Sequence, residues 1–343
     1  NGDYKLGDFG IARTIERTTS GLSKKGTYSY MAPEVYAGRE YGFSVDTYSL
    51  GLVLYRMLNK NRGPFLPQPP EAITYDNREQ ALARRVSGEP LPRPFYGEGR
   101  LGEIVLKACA FDPKDRYSSP QQLRQELARH AESVGVDAIA SIPPIYFHLP
   151  EYAIAKYWND MSAAAPNTEF VIYNIPQLAG TGLTMSLLRE MLKNSNVVAV
   201  KNSSMPTQDI QMFKDAGIAA RGEGNFVVFN GPDEQFVSGR VIGADGGIGG
   251  TYAVMPELYL AMNEHINKGE IEAARAIQYD ADRIIYKMCE AHGNLYAVQK
   301  EILRRMYGLE LGGVREPMPG LIPEDEPIVA EAQAMIEAAI AKL

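Results

Sequence analysis

The sequence predicts an α/β protein with a parallel sheet or barrel, preceded by a mainly helical front part. Two observations predict the sheet. Across residues 137–251, short apolar runs alternate strictly with longer helical stretches, the pattern of repeated βαβ units. The runs at 170–173, 197–200 and 226–229 are apolar without alternation, as strands covered on both faces must be. A third observation separates the front part: residues 1–127 read as loops and helices.

Taken in order, Tyr4-Lys5-Leu6-Gly7 leads into Asp8-Phe9-Gly10. The polar stretch that follows, with Thr14, Thr18, Thr19, Ser20 and Ser23, has no apolar period and reads as a loop. Gly26-Thr27-Tyr28-Ser29-Tyr30-Met31-Ala32-Pro33-Glu34 comes next. Residues 45–58, with Asp46 near their start, carry a broad apolar face at helical spacing and predict a buried helix. Residues 59–78 are proline-rich and predict a long loop. Helices are expected at 79–87 and 101–110. Asp112-Pro113-Lys114-Asp115-Arg116-Tyr117 is a turn, and Ser118-Ser119-Pro120 opens another helix. Proline fits a first turn, where a missing N–H leaves no bond unmade. That helix runs through 121–130 without a breaker, and Gly135 suits its C-terminal cap.

Beyond it, strands are expected at 137–144, 170–176, 197–201 and 226–231, with 246–251 as the last strand and its exit loop. Helices are expected at 151–164, 184–193, 208–216 and 234–242. Residues 253–308 and the alanine-rich 327–342 read as mostly helical.

At 343 residues, with 45% hydrophobic and 22% charged side chains, the chain can bury two or three domains. This composition excludes disordered, collagen-like and disulfide-dense classes. Two distant cysteines, Cys109 and Cys289, make no framework of bridges, so a reducing, cytoplasmic setting is expected. No apolar run is long enough to span a membrane, and residues 1–5 do not resemble a secretory leader. Residues 1–128 hold 18 Lys and Arg against 15 Asp and Glu, net +3. Residues 129–343 hold 17 against 27, net −10, within an overall −7. Neither part carries a dense basic stripe, so no nucleic-acid partner is expected.

In parallel α/β folds, chemistry sits at the carboxyl ends of strands. Those positions here hold Tyr173, Lys201, Asp233 with Glu234, and glycines 246–250. A lysine ending an apolar strand is unusual, because burying an ammonium is costly. Desolvation favours the neutral amine, which attacks a ketone to give a Schiff base. A tyrosine on the neighbouring strand can relay protons to the bond being cleaved. The bland alternative is a lysine that snorkels at the rim beside a core tyrosine.

The front part resembles the C-terminal lobe of a Ser/Thr protein kinase. The resemblance rests on Asp8-Phe9-Gly10, the Ser/Thr-bearing loop, Ala32-Pro33-Glu34, the helix with Asp46, and Asp115-Arg116. It implies that Asp8 holds Mg²⁺ on ATP, that Glu34 and Arg116 form a buried ion pair, and that Thr27 lines a peptide-binding loop. A Gly-rich phosphate loop, a strand lysine with its glutamate partner and a His-Arg-Asp catalytic loop do not precede Asp8 here. Without base and phosphate clamps, no kinase activity is expected.

Residues 128–343 resemble the N-acetylneuraminate lyase and dihydrodipicolinate synthase family of class I aldolases. Its marks are Tyr173-Asn174-Ile175-Pro176, Val200-Lys201-Asn202-Ser203-Ser204, Asn230-Gly231-Pro232-Asp233-Glu234 and Gly243-Ala244-Asp245-Gly246-Gly247-Ile248-Gly249. The resemblance implies Lys201 as the Schiff-base lysine, Tyr173 as the proton-transfer residue and Ser203 as a hydroxyl near the substrate carbonyl. Gly231, Asp233 and Glu234 would meet a sugar's hydroxyl tail, and Tyr146 would reach a neighbouring subunit's site in a homo-oligomer. The Asp233-Glu234 pair points to the sialic acid branch. Leu178 replaces the arginine of the synthase branch, and Gly250 stands where the sialic acid enzymes often carry serine.

The expectation is therefore a fusion: a kinase C-lobe fragment over 1–127, then an incomplete (β/α)8 TIM barrel over 128–343 holding strands four to eight. The join falls within the helix at 121–130. The implied activity is cleavage of N-acetylneuraminate-like 2-keto acids to pyruvate and an aldose, impaired by the missing strands. No cofactor is implied beyond the Schiff base, with Mg-ATP only for an intact kinase. The alternative is a non-catalytic chimera or a kinase-derived binding fragment.

Overall fold

A computed structural model describes residues 29–145, 147–315 and 317–343. They divide into two compact units, with the boundary between Leu127 and Ala128.

The described part of the first unit is helical: α1 (Pro33–Tyr36), α2 (Ser44–Leu58), α3 (Tyr75–Val86), α4 (Arg100–Ala108) and α5 (Pro120–Ser133), which crosses the boundary. Helix α2 buries Thr47, Tyr48, Gly51, Leu52 and Tyr55, one stripe of a 3.6-residue period. Tyr48 and Leu52 share a core with Ala32 and Cys109, and Ile104, Ala108, Tyr117 and Leu123 form a second. Burial pushes the Cys109 thiol up to about 12, so it packs as an apolar side chain. Helix α3 corrects the expected loop over 59–78, since it begins at Tyr75. The Thr74 hydroxyl accepts from the Asn77 N–H at 3.1 Å and the Asn77 carboxamide accepts from the Thr74 N–H at 2.9 Å. This is a capping box with asparagine in place of the usual Glu or Gln, so its spelling hid it.

The second unit is α/β. Its strands are β1 (Ala138–Ser141), β2 (Glu169–Asn174), β3 (Val197–Asn202), β4 (Val227–Asn230) and β5 (Gly246–Gly247), all parallel and in sequence order. Helix α6 (Glu151–Ser162), then α7 (Pro176–Ala179) with α8 (Met185–Met191), α9 (Gln208–Arg221) and α10 (Phe236–Val241) make the crossovers. The helix expected over 234–242 is a 3₁₀ turn at Asp233–Gln235 followed by α10. The pleat sends alternate residues to opposite faces. Phe170, Ile172, Val200 and Val228 pack with Ile154, Trp158, Leu187, Leu188, Ile210 and Phe213 from α6, α8 and α9. Each such buried side chain contributes roughly 1.5–3 kcal/mol. Helix α9 lies so close to Phe226 that a Cβ on Gly217 would meet the ring at 1.9 Å.

Val171, Tyr173, Lys201, Val227 and Phe229 lie on the opposite face and stay half-buried. Among the described residues, β1 and β5 each pair on one side only, and no residue of β1 is fully buried. Helices α11 (Pro256–Asn267), α12 (Ile271–Met288), α13 (Leu295–Tyr307) and α14 (Glu326–Ile340) complete the unit. They share one core containing Leu258, Met262, Ile284, Ile302 and Ile336. No described helix is long and apolar enough to cross a membrane.

Candidate active site

The parallel register places the last residues of three strands side by side. Tyr173 pairs with Lys201 and Asn174 with Asn202 across β2 and β3. Lys201 pairs with Phe229 and Asn202 with Asn230 across β3 and β4. Because side chains alternate, Tyr173, Lys201 and Phe229 share one face and the three asparagines share the other. Lys201 Nζ stands 4.0 Å from the centroid of the Tyr173 ring. An ammonium over an aromatic face is held by about 0.5–1 kcal/mol at a partly exposed site. The structure therefore brings together the two residues expected to carry the chemistry.

The asparagines tie down the loops that leave the strands. Asn174 Nδ2 donates to Asn202 Oδ1 at 2.7 Å, and Asn174 Oδ1 accepts from the Leu183 N–H at 2.9 Å. Asn230 Nδ2 donates to the Pro232 carbonyl at 2.7 Å. Buried Asn202 keeps its Nδ2 without a partner. The sequence reading named these residues only as parts of the motifs and gave them no role. Their signal was the recurrence of asparagine straight after Tyr173, Lys201 and Phe229.

Two backbone bonds extend the ladder past the strand ends: Ser203 N–H to the Asn174 carbonyl and Gly231 N–H to the Asn202 carbonyl, both 2.7 Å. Ser203 and Gly231 thereby come into contact. A Cβ on Gly231 would stand 2.1 Å from Ser203 Oγ, so only glycine fits beside that hydroxyl.

Asp233 and Glu234, expected to act together, separate. Asp233 is buried. Its carboxylate accepts from the Gly250 N–H at 3.1 Å, the Thr251 N–H at 2.7 Å and the Thr251 hydroxyl at 2.6 Å. With the Thr251 proton committed there, the Tyr259 hydroxyl, 3.0 Å away, donates to Thr251 Oγ1. Burial, then the nearby Asp233 charge, raise the Tyr259 phenol. Asp233 thus holds the loop that carries Gly250. Glu234 is exposed. Burial, and to a lesser degree Glu234, raise the Asp282 carboxyl against a lowering bond from Gln278. Gly250 is exposed, and a Cβ there would meet the Tyr296 hydroxyl at an ordinary 3.5 Å.

Tyr146 lies outside the described residues, as do Asp8, Phe9, Gly10 and Thr27 of the kinase-like motif. In the first unit, Arg116 Nη1 and Nη2 donate to the two Glu34 oxygens at 2.6 and 2.8 Å. The guanidinium also donates to the carbonyls of Ala110, Phe111 and Ser44 and stacks over Tyr48. Asp46 is exposed in the first turn of α2. Among the described residues, no group of three His, Cys, Asp or Glu side chains could hold a metal ion.

Comparison with known proteins follows the same division. Residues 1–128 match the protein kinase domain model, and residues 122–338 match the dihydrodipicolinate synthetase family model. An N-acetylneuraminate lyase of Mediterraneibacter gnavus is 64% identical over 239 residues, 70% of this chain and 71% of the relative. A solved structure described as the Ruminococcus gnavus sialic acid aldolase catalytic lysine mutant is 65% identical and superposes with a TM-score of 0.62. The match covers 65% of this chain and 71% of that one. The N-acetylneuraminate lyase of Proteus mirabilis is 26% identical with a TM-score of 0.55, covering 64% and 70%. The chain is a fusion of two family segments, and through residues 122–338 it belongs to the dihydrodipicolinate synthetase family, a family of class I aldolases.

Proposed function

We propose that residues 128–343 act as a Schiff-base lyase on N-acetylneuraminate-like 2-keto acids. The observation that carries this is the Lys201 amine, 4.0 Å over the Tyr173 ring at paired strand ends. The Lys201 amine adds to the keto carbon, and water leaves to give an iminium. Tyr173 gives its hydroxyl proton to the departing water, and the phenolate so formed takes the proton from the C4 hydroxyl as the C3–C4 bond breaks. The electron pair enters the iminium to form an enamine, and the aldose departs. Protonation of the enamine and hydrolysis return pyruvate and free Lys201. No bound cofactor is needed. Ser203 meets the carbonyl end, while Gly231, Glu234 and Gly250 face the sugar and Asp233 fixes their loop. The names of the two gnavus proteins support this substrate class.

The five strands correspond in this reading to strands four to eight of a (β/α)8 barrel, following a kinase C-lobe fragment over 1–127. The half-buried inner face lowers turnover, because water reaches groups that a closed barrel would desolvate. Borohydride reduction in the presence of pyruvate tests the reading: a mass increase on Lys201 supports it, and an unmodified Lys201 removes it. Among the described residues the two outer strands pair on one side only, and this favours a second reading, a non-catalytic chimera or a kinase-derived binding fragment. That reading expects pyruvate to leave the melting temperature unchanged.

A further inference from the structure

The 3₁₀ turn at Asp233–Gln235 carries Glu234, and one buried side chain from a helix distant in sequence grips its backbone on both sides. That side chain is Gln278 of α12, which is 5% exposed. Its Oε1 accepts from the Val237 N–H at 3.0 Å. Its Nε2 donates to the Asp233 carbonyl at 3.1 Å and to Asp282 Oδ1 at 2.8 Å. The carboxamide oxygen and both amide protons are therefore in use. Turning the carboxamide over would set donor against donor at Val237 and acceptor against acceptor at Asp233 and Asp282, so the network fixes its orientation.

Val237 lies in the first turn of α10, where an N–H has no partner within the helix, so that bond by itself would be a helix cap. The bond to Asp233 does something else. The Asp233 carbonyl already accepts from the Phe236 N–H, which closes the 3₁₀ turn. A second donor on that oxygen is not needed to satisfy it, and its effect is to tie the turn to α12. The oxygen belongs to the planar peptide group that leads into Glu234, so holding it fixes the plane from which the Glu234 side chain starts. The Asp233 carboxylate is held separately, by the Gly250 and Thr251 N–H groups, while the Glu234 side chain is left exposed. The geometry points to Gln278 as a positioning residue, which presents the Glu234 carboxylate to the hydroxyl tail of a sugar-derived 2-keto acid and takes no part in the chemistry at Lys201. This rests on the lyase reading above and adds a specificity-determining residue to it. A carboxylate on a pinned backbone loses less freedom when it binds, and the saving appears as affinity for the tail.

The test is borohydride trapping of Lys201 in the full chain over a range of N-acetylneuraminate concentrations and, separately, of pyruvate concentrations. Pyruvate has the keto acid end and no hydroxyl tail. Gln278→Met keeps the length of the side chain and removes its hydrogen bonds. It should raise the half-saturating concentration of N-acetylneuraminate about tenfold and leave that of pyruvate unchanged. Gln278→Asn, one methylene too short to reach both ends of the turn, should do the same, and it decides the matter if the methionine variant does not fold. The double variant Glu234→Gln with Gln278→Met should bind N-acetylneuraminate as Glu234→Gln alone does, because Gln278 acts through Glu234. Three outcomes overturn the proposal: equal shifts for the two keto acids, an unchanged N-acetylneuraminate value in a folded Gln278 variant, or a double variant weaker than Glu234→Gln alone. A wild-type chain that forms no adduct with N-acetylneuraminate fails the lyase reading and takes this proposal with it. A wild-type adduct that Gln278→Met matches at every concentration fails the proposal alone.

Discussion

Arg116 in the first unit and Lys201 in the second are both cations drawn out of bulk water, and their surroundings differ in kind. The Arg116 side chain is fully buried, and its donors are taken by both Glu34 oxygens and three backbone carbonyls. Lys201 is half-buried at a strand end and faces an aromatic ring. A cation enclosed by acceptors on all sides is held in one place, and its work is structural. An amine set on a ring face, with solvent on one side, is open to an approaching carbonyl. The contrast separates a brace from a reagent within one chain.

The largest expected effect breaks the reagent side. Lys201→Ala should abolish the borohydride-trapped pyruvate adduct while shifting stability by less than about 1 kcal/mol, checked by intact mass and urea denaturation. A comparable loss of stability would put Lys201 with Arg116. Tyr173→Phe keeps the ring under the amine and removes only the hydroxyl. Trapping should persist while retro-aldol turnover falls about 10²–10⁴-fold; equal losses in both assays would deny Tyr173 a proton-transfer role.

The brace side breaks differently. Glu34→Ala leaves a buried guanidinium without its carboxylate, which costs about 3–5 kcal/mol. Amide exchange in α2 and α4 should accelerate, with β2 and β3 unaffected. The smallest effect concerns a brace inside the second unit. Burial alone would raise the Asp325 carboxyl. Donors from the Ile322, His292 and Gly293 backbone and the His292 ring more than offset it and hold it at about 2. A depressed carboxyl stabilises the fold above its unfolded value of about 3.9. That contribution fades as pH falls from about 4 toward 2. Denaturation midpoints of wild type and Asp325→Asn should therefore converge over that range, and parallel midpoints would refute the assignment.

Much of the layout could be read from the chain. Apolar runs near 170, 197 and 226 became β2, β3 and β4, but helices cover only one face of them, and the expected cover on the second face is partial, with Val171, Val227 and Phe229 half-buried. The start of α3 was hidden by an unusual capping box. The site was legible in part. Lys201 stood out as a charge ending an apolar run, whereas the asparagine ladder did not, because asparagine is ordinary at any strand end. Asp233 and Glu234, adjacent in sequence, looked equivalent, but a 3₁₀ turn sends one to the Gly250 and Thr251 backbone and leaves the other exposed.

Sequence alone determined which segments become strands or helices, their order, and the presence of one lysine at a strand terminus, since these depend on local periodicity and on the cost of burying charge. Only the tertiary structure decided that Tyr173 lies under Lys201, that Asn202 bridges toward Asn174, and that among the described residues both outer strands pair on one side only. Those facts depend on register and on neighbours distant in the chain, and hydrogen bonding between strands fixes them without leaving a mark in any single segment.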